Sequence, residues 1–282
     1  MVAVLDFIRE SAVGDLVAWQ HQLEAARRFS LSPALVEGII LDNGLLPARY
    51  QRNRQTISQS GQRELFHSRV AVIGCGGLGG YIIEELARLG VGTIVAIDPD
   101  VFEEHNLNRQ LFSTPANLGK YKVEAALRRV SEINPAVTLI ARQTAFSAGN
   151  AAELLTGSSV AVDALDSIGV RMELADTCSA LGIPLVHGAI AGWFGHVTTQ
   201  FPGDDTLQSI YGPDKPCKGV ETSLGNPSFT PAVVASLQVA EVCKLLLGQG
   251  TPLRGRQLAI DLFSMEISVI ELHDNDSDRE TG

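Results

Sequence analysis

Residues 69–100, RVAVIGCGGLGGYIIEELARLGVGTIVAIDPD, decide the fold of this chain. An apolar, largely β-branched run enters a glycine cluster, which opens an amphipathic helix ended by Gly90, and a second apolar run leads to Asp98. The order strand, turn, helix, strand predicts a Rossmann-type nucleotide site. Glycines let the backbone approach a phosphate chain, the helix N-terminus offers free N–H groups, and the acid after the second strand can bind ribose hydroxyls. By itself, the stretch predicts a nucleotide and specifies no reaction.

Composition restricts the class of protein. A chain of 282 residues is long enough for one α/β domain with an appendage. The formal net charge of −10 argues against nucleic-acid and anionic-membrane partners, because both require a basic field. No apolar run approaches the ~20 residues of a membrane span, and the first residues do not have the pattern of a signal peptide. We therefore expect a soluble, cytoplasmic protein with no nucleic-acid and no membrane partner.

The segments on either side of the central stretch complete the predicted architecture. Residues 1–47 follow helical patterns and form a helical N-terminal extension, and the polar, basic run 49–63 has the composition of a solvated linker. A helix-turn-helix in the extension is disfavoured because it carries no excess of basic residues. We expect an α/β, Rossmann-like fold whose sheet is mostly parallel in its N-terminal half and continues into antiparallel strands, with a small N-terminal helical appendage.

The second half of the chain supplies the later strands and a long loop. Further strands are predicted at 136–142, 159–165 and 184–190, and 194–201 alternates like an antiparallel strand; helices are predicted at 148–155, 170–181 and 232–247. The domain proper should then span 48–272. Residues 202–231, dense in Gly, Pro, Asp and Ser, should form a long functional loop. Two strands close the domain, and the acidic tail 273–282 is expected to be disordered.

Charged residues follow the predicted strands at the edge where an open α/β sheet binds its ligands. Arg109 and Lys122 come after the second strand, and Asp163 and Asp166 end the fourth. Strand-end carboxylates can bind Mg²⁺ together with phosphate oxygens. For Asp163, a structural role at a helix N-terminus is an equal alternative. His187, inside an apolar strand, is expected to be a hydrogen-bonded core histidine.

The motifs, taken in order, resemble those of the MoeB/ThiF/HesA family, the prokaryotic relatives of ubiquitin-activating enzymes. The resemblance covers residues 49–272. It rests on these motifs: RYQRNRQ, GCGGLGG, AIDPD, NLNRQLF, LGKYKVEAA, INP, VDALDSIGVR, PLVHGAIAGWFGHVTT and SLQVAEVCKLLLG. A glycine loop alone is common, whereas this ordered set is specific.

The resemblance implies a reaction and a set of site residues. The family uses ATP and Mg²⁺ to adenylate the C-terminal Gly-Gly carboxylate of a ubiquitin-like sulfur-carrier protein of the MoaD or ThiS type, releasing pyrophosphate. Arg52 matches an arginine that relatives deliver into the neighbouring subunit's site, which implies a homodimer. Asp166 matches the metal-binding aspartate. The residues implied to bind nucleotide are Gly74, Gly76, Gly77, Gly79, Asp98, Asp100, Asn106, Asn108, Arg109 and Lys122.

The cysteines depart from the family pattern. Many relatives bind a structural zinc through two CxxC pairs, but here the long loop supplies only Cys217 and no cysteine follows Cys243. We therefore predict that the chain binds no zinc. Several relatives also carry a loop cysteine that becomes covalently modified after adenylation, and Cys217 lies two residues from that position. A covalent role for Cys217 is left open, with lysines on either side able to lower its pKa.

Two other classes of protein fit the glycine loop alone. An NAD-dependent oxidoreductase would share the loop, but the Asp166 and Arg52 constellation has no use in hydride transfer. A non-catalytic nucleotide-binding scaffold would not need the cations and the metal aspartate. The pathway served by the carrier, whether molybdenum or tungsten cofactor, thiamine or cysteine synthesis, is not readable from the residues.

Overall fold

The computed structural model describes residues 2–212 and 224–272. Its strands are β1 (Leu16–Val17), β2 (Leu46–Pro47), β3 (Arg69–Ile73), β4 (Thr93–Ile97), β5 (Thr138–Arg142), β6 (Val160–Asp163), β7 (Leu185–Ala191), β8 (Phe194–Gln200), β9 (Arg256–Asp261) and β10 (Glu266–Glu271). Its helices are α1 (Val2–Ser11), α2 (Trp19–Phe29), α3 (Pro33–Asp42), α4 (Gln59–His67), α5 (Gly77–Leu89), α6 (Lys122–Ile133), α7 (Ala148–Leu155), α8 (Ile168–Leu181), α9 (Thr206–Tyr211) and α10 (Phe229–Leu247).

One large sheet organises the molecule, in the order β5-β4-β3-β6-β7-β8-β9-β10. The strands from β5 to β7 are parallel, and β8, β9 and β10 continue the sheet antiparallel. The α/β, Rossmann-like fold with a parallel part that continues into antiparallel strands is therefore confirmed. The chain runs from β3 outward to β4 and β5 and then returns to the other side of β3 to form β6. This reversal leaves a crevice at the carboxyl ends of β3, β4 and β6, where such sheets bind ligands.

The central strand β3 is apolar throughout because both of its faces are covered. Val70 and Val72 point into a core shared with α5, α6 and α10, whereas Ala71 and Ile73 point into a second core shared with α7 and α8. Each of these four side chains is at most 1% exposed. Two helical layers thus fix β3 and, with it, the glycine loop that follows.

The N-terminal extension is a small helical unit with its own apolar cluster, as predicted for the appendage. It contacts the main domain through polar groups that are buried with it. The Tyr50 hydroxyl donates to Glu37 Oε1 over 2.7 Å, and Asn134 Nδ2 donates both to Tyr50 Oη and to the Ala87 carbonyl over 2.8 Å. Because Tyr50 is 1% exposed, the interpretation of the run 49–63 as a solvated linker is wrong at its start.

Several predicted bounds shift in the structure. Residues 16–17 form a strand with 46–47, so the N-terminal extension, predicted to be helical, also contains two short strands. Inside the predicted loop 202–231, α9 occupies Thr206–Tyr211, and α10 starts at Phe229. The rest of that loop between 213 and 223, and the tail 273–282, lie outside the described residues.

Helix α10 is long and apolar enough to cross a membrane by length and composition alone. Here it packs against α5 and β7, with Val234, Ala235, Val239 and Val242 buried in the larger core. Its apolar composition is accounted for by this packing.

Candidate active site

A cavity of about 460 Å³ opens at the carboxyl edge of the parallel strands. The lining residues come from the glycine loop, the ends of β4 and β6, the loop around Arg109, the segment after β5, the first turns of α6 and α8, β7 and the segment before α10. They are Ile73, Gly74, Gly76, Gly77, Leu78, Ile97, Asp98, Pro99, Asp100, Arg109, Gln110, Lys122, Thr144, Ala145, Phe146, Ala164, Leu165, Asp166, Ser167, Val170, Arg171, Ala189, Ile190 and Asn226. Polar, charged and apolar groups therefore meet in one crevice, at the place that the topology predicts.

The glycines of the loop divide into two roles. Gly74 has φ +100°, and a Cβ there would lie 2.5 Å from the Ala164 carbonyl oxygen, so only glycine fits. A Cβ on Gly79 would lie 1.8 Å from the Gly74 carbonyl oxygen, so Gly79 permits close packing of α5 and lies outside the described cavity lining. Gly76 and Gly77 line the cavity at the start of α5, where the first N–H groups of a helix have no partner within the helix and can bind an anion.

Asp98 follows β4 and fixes the glycine loop. Its carboxylate accepts the Cys75 N–H over 2.7 Å and the Asp100 N–H over 2.8 Å, and it is 5% exposed. Burial raises the pKa of Asp98, while the positive charge of Lys122 opposes this shift. Asp98 lines the cavity with these two bonds in place, and each carboxylate oxygen can accept one bond more.

Lys122, the first residue of α6, brings a positive charge to the wall of the cavity. Its Nζ lies 2.9 Å from Asp100 Oδ2 and 3.9 Å from Asp98 Oδ1. Its side chain is 9% exposed, so the ammonium is held in place and mostly desolvated. A phosphate entering the cavity would meet a cation that is already oriented.

Arg109 is the second cation of the cavity. Its Nη1 donates to the His105 carbonyl over 3.0 Å and to Asn108 Oδ1 over 2.9 Å. The Asn108 amide in turn donates to the Asn226 carbonyl over 3.1 Å, which ties the loop to the entrance of α10. Burial lowers the pKa of Arg109 and the nearby Asp166 carboxylate opposes this, but an arginine so placed remains charged.

Asn106 and Asn108 support the site and lie outside the described cavity lining. Asn106 is 4% exposed, and its Oδ1 accepts the Glu103 N–H over 2.9 Å in a capping box. Asn108 orients Arg109, as described above. In this structure both asparagines act on the loop that carries Arg109.

The two aspartates after β6 have different surroundings. Asp166 is exposed and lines the cavity. Asp163 is fully buried, with Oδ2 at 2.8 Å from Arg171 Nε and 2.7 Å from His187 Nδ1, and Oδ1 accepting the Leu165 N–H. Magnesium ligation by Asp163 is therefore contradicted, because its oxygens are enclosed and paired. The prediction of His187 as a hydrogen-bonded core histidine is confirmed.

The residues present fit a nucleoside triphosphate with Mg²⁺. Gln110 supplies an independent sign of a polar ligand, because its side chain is 7% exposed and its Oε1 has no hydrogen-bond partner. Within residues 2–212 and 224–272, no group of three or more His, Cys, Asp or Glu is arranged to hold a metal ion. Mg²⁺ bound with phosphates needs only one or two carboxylates, which Asp166 can provide.

Gln110 and Asn226 are among the cavity residues that the sequence-based prediction did not name. Gln110 lies inside the NLNRQ motif, so that motif could have indicated it. Asn226 comes from the Gly/Pro-rich loop and carries a buried Oδ1 without a partner. No local pattern distinguishes Asn226 from the other polar residues of that loop.

Arg52 lies away from the cavity of its own chain. It is exposed, on a shallow surface formed with Gln51, Arg54 and Gln55. Arg54 pairs with Asp15, Nη2 to Oδ2 over 2.6 Å, which fixes this basic segment on the N-terminal extension. Cys217 lies outside the described residues.

An open α/β sheet with a glycine loop, two cations and a facing carboxylate at its switch point defines a phosphate-binding protein of the Rossmann-like class. Within that class, the chain belongs to the ThiF family, whose model matches residues 50–281.

The relatives found by sequence are named as activating and adenylating enzymes. The chain is 36% identical to the SAMP-activating enzyme E1 of Haloferax volcanii, covering 80% of this chain and 86% of that protein. It is 33% identical to the sulfur carrier protein adenylyltransferase of Thermus thermophilus, covering 80% and 88%. It spans 51% of the adenylyltransferase and sulfurtransferase MOCS3-2 of Zea mays at 33% identity, covering 84% of this chain.

Solved structures agree on the fold. The chain superposes on MccB of E. coli, crystallised with ATP, with a TM-score of 0.65, 20% identity, and coverage of 91% of this chain and 83% of that one. At this identity the likeness establishes the fold alone.

Proposed function

We propose that the protein adenylates the C-terminal Gly-Gly carboxylate of a small ubiquitin-like sulfur-carrier protein, using ATP and Mg²⁺ and releasing pyrophosphate. The observation that carries this proposal is the meeting of Arg109, Lys122 and Asp166 around the glycine loop in one cavity. The relatives' names, an activating enzyme and a sulfur carrier protein adenylyltransferase, support the same reaction.

The reaction needs no nucleophilic side chain from the enzyme. It needs positive groups placed next to the phosphates. The carrier's carboxylate is already ionised at neutral pH and can attack the α-phosphorus itself. Attack forms the acyl phosphate bond, and the bond to the pyrophosphate oxygen breaks, so negative charge builds on the phosphate oxygens and on the leaving group. Lys122 and Arg109 face that charge, and the N–H groups at the start of α5 can hold phosphate oxygens.

The proposed Mg²⁺ ion and the purine base of ATP would contact different residues of the cavity. A bound Mg²⁺ would neutralise phosphate charge, with Asp166 as its protein ligand. The apolar wall formed by Phe146, Val170 and Leu165 suits the flat face of a purine. Hydride transfer does not require charged residues such as Arg109 and Asp166, so this geometry favours a phosphate-transfer enzyme over an oxidoreductase.

The proposal extends to assembly and location. Because Arg52 is exposed and outside the lining of its own cavity, a homodimer in which it reaches the partner's site would supply a third cation, as the resemblance implies. The domain 48–272 then contains the catalytic parts, and 1–47 is an extension that supports the basic segment. We further propose a cytoplasmic protein without a CxxC-bound zinc, serving a pathway that incorporates sulfur.

The test is ATP-pyrophosphate exchange with a Gly-Gly-terminated carrier. The wild-type protein should exchange labelled pyrophosphate into ATP only when the carrier is present. Lys122→Ala should lose at least about 100-fold of this exchange, since a positioned cation opposite developing charge typically contributes that much. Lys120→Ala, an exposed lysine two residues away, is the matched control and should keep the activity. Full exchange in Lys122→Ala, with both variants folded by circular dichroism, would disprove this assignment of the cavity.

A further inference from the structure

Two imidazoles and one phenol converge beside the cavity, apart from the groups assigned to ATP. His187 lies in β7, His196 in the antiparallel neighbour β8, and Tyr211 at the end of α9. His187 Nε2 lies 3.0 Å from His196 Nε2 and 3.0 Å from Tyr211 Oη, and Tyr211 Oη lies 3.5 Å from His196 Nε2. Three atoms able to bind a metal therefore surround one point.

In this cluster the Nε2 atom of His187 has two polar neighbours. His187 Nδ1 lies 2.7 Å from Asp163 Oδ2, so Nδ1–H donates to the carboxylate and Nε2 carries the lone pair. A single lone pair on His187 then faces two groups at 3.0 Å. If His196 Nε2 is unprotonated as well, two lone pairs face each other.

A cation at the shared point would use all three atoms. Tetrahedral Zn²⁺ has metal–nitrogen distances of about 2.0–2.1 Å, which puts its ligand atoms roughly 3.3 Å apart. The separations of 3.0, 3.0 and 3.5 Å lie around that value. A metal-binding histidine usually donates its other N–H to a carboxylate, and Asp163 accepts that bond from His187.

The charged groups nearest the cluster are one carboxylate and one guanidinium. The carboxylate of Asp163 is paired with the Arg171 guanidinium, 2.8 Å from Nε to Oδ2, so the pair adds no net charge. Arg171 Nη1 also lies 2.6 Å from Tyr211 Oη, where it would stabilise a phenolate. The partly exposed side chains of His196 and Tyr211 leave a route for an ion from solvent.

We propose that His187 Nε2, His196 Nε2 and Tyr211 Oη bind one zinc-type transition-metal dication per chain. The fourth ligand of a tetrahedral site would be water. Binding releases the phenol proton and ties α9 to β7 and β8, next to the Asp163 and Arg171 pair. Its ligands differ from the cysteines of the CxxC zinc site and from Asp166, the residue proposed to bind Mg²⁺.

The test uses the full-length, untagged protein, stripped with a chelator and titrated with Zn²⁺ by calorimetry and with Co²⁺ by visible absorption. One equivalent should bind, Co²⁺ should give tetrahedral d–d bands, and Zn²⁺ should raise Tm. His196→Gln should weaken Zn²⁺ binding at least about tenfold, because a ligand loss costs no less than loss of an outer-shell partner. His67→Gln, a half-exposed histidine on α4, is the control and should bind like wild type.

A second variant guards against misfolding of the first. Tyr211→Phe keeps the ring and removes the ligand oxygen, so it should also lose Zn²⁺ affinity. Its Tm without metal should fall, because Arg171 Nη1 and His187 Nε2 lose a hydrogen-bond partner, and circular dichroism checks that the variant remains folded. Absence of saturable Zn²⁺ binding to the wild type would overturn the proposal. Equal Zn²⁺ affinity of wild type, His196→Gln and Tyr211→Phe would overturn it too, because the ion would then be bound elsewhere.

Discussion

Gly79 and Gly80 are neighbours in α5, yet they tolerate a methyl group very differently. A Cβ on Gly79 would lie 1.8 Å from the Gly74 carbonyl oxygen, whereas a Cβ on Gly80 would lie 3.4 Å from Leu111 Cβ, an ordinary contact. We predict that Gly79→Ala lowers the free energy of unfolding by about 3 kcal/mol or more, since backbone would have to shift. Gly80→Ala should change it by less than about 1 kcal/mol, because helix propensity gained offsets the tighter contact.

Urea unfolding followed by circular dichroism measures both changes. Equal stability of the two alanine variants would contradict the close approach of α5 to the glycine loop. Gly79→Ala should also weaken nucleotide binding, because displacement of the Gly74 carbonyl moves the residues that line the cavity.

At the residue scale, sequence located the site and did not assign every side chain within it. Arg109, Lys122 and Asp166 were predicted on motif grounds and do meet at the cavity. Asn106 was predicted to bind nucleotide, but its amide is used in a capping box. Which amides of the NLNRQ loop face inward depends on the conformation of a tight turn, and a motif does not specify that conformation. Gln110, in the same loop, was not predicted as a site residue, yet it lines the cavity.

At the scale of elements, the contact between the N-terminal extension and the main domain depends on a buried acid. Glu37 is fully buried, and burial raises its pKa above the ordinary value of 4.5, with Arg49 and Tyr50 opposing. Since the folded pKa is raised, this group contributes stability below pH 4.5 that is lost as the pH rises through the raised pKa.

We predict that Glu37→Gln removes this loss. Compared with the wild type, the variant should gain stability as the pH rises above 4.5, by at most about 1.4 kcal/mol per pH unit. Glu64→Gln, with a side chain 59% exposed, is the control and should follow the wild type. Thermal unfolding from pH 4 to 8 is the measurement, and parallel curves for wild type and Glu37→Gln would disprove a raised pKa at this position.

Most strands and helices could be predicted from their hydrophobic patterns, because a sheet covered on both faces requires apolar strands and helices with one apolar face. Strands buried on both faces have continuous apolar runs, and the glycine caps Gly90, Gly182 and Gly248 end their helices in the left-handed conformation. The N-terminal strands β1 and β2 were missed, because two-residue strands leave no period to detect. The polar run after β2 was interpreted as a solvated linker, but its Tyr50 is buried. Its hydrogen-bond partner Asn134 lies about 80 residues away in sequence, so no local pattern indicates this contact.

At the scale of the whole molecule, the position of Arg52 predicts complementation between subunits. In a homodimer of the proposed kind, Arg52→Ala and Asp166→Asn should each be inactive alone in pyrophosphate exchange. Mixed by co-expression, they form heterodimers with one intact site, so the mixture should recover about a quarter of wild-type activity. Arg54→Ala, which breaks only the pair with Asp15, serves as the control for the basic segment.

Two results would count against this assignment of Arg52. Recovery would be absent if Arg52 acted in its own chain, and Arg52→Ala would be active alone if it had no catalytic role. Size-exclusion chromatography with light scattering on each variant separates loss of the dimer from loss of the arginine.

The return of the chain from β5 to β6 also determines the order in which parts of the sheet can fold during translation. The central strand β3 pairs with β6, which follows about 90 residues later, so this contact closes a long loop of chain. The glycine loop leaves the ribosome early, but the opposite wall with Asp166 and Ile190 is made much later. Until β6 arrives, one edge of β3 presents unpaired backbone N–H and C=O groups, which is the kind of edge that aggregates. The part of the cavity wall that includes Asp166 and Ile190 is therefore absent until roughly two thirds of the chain has been translated.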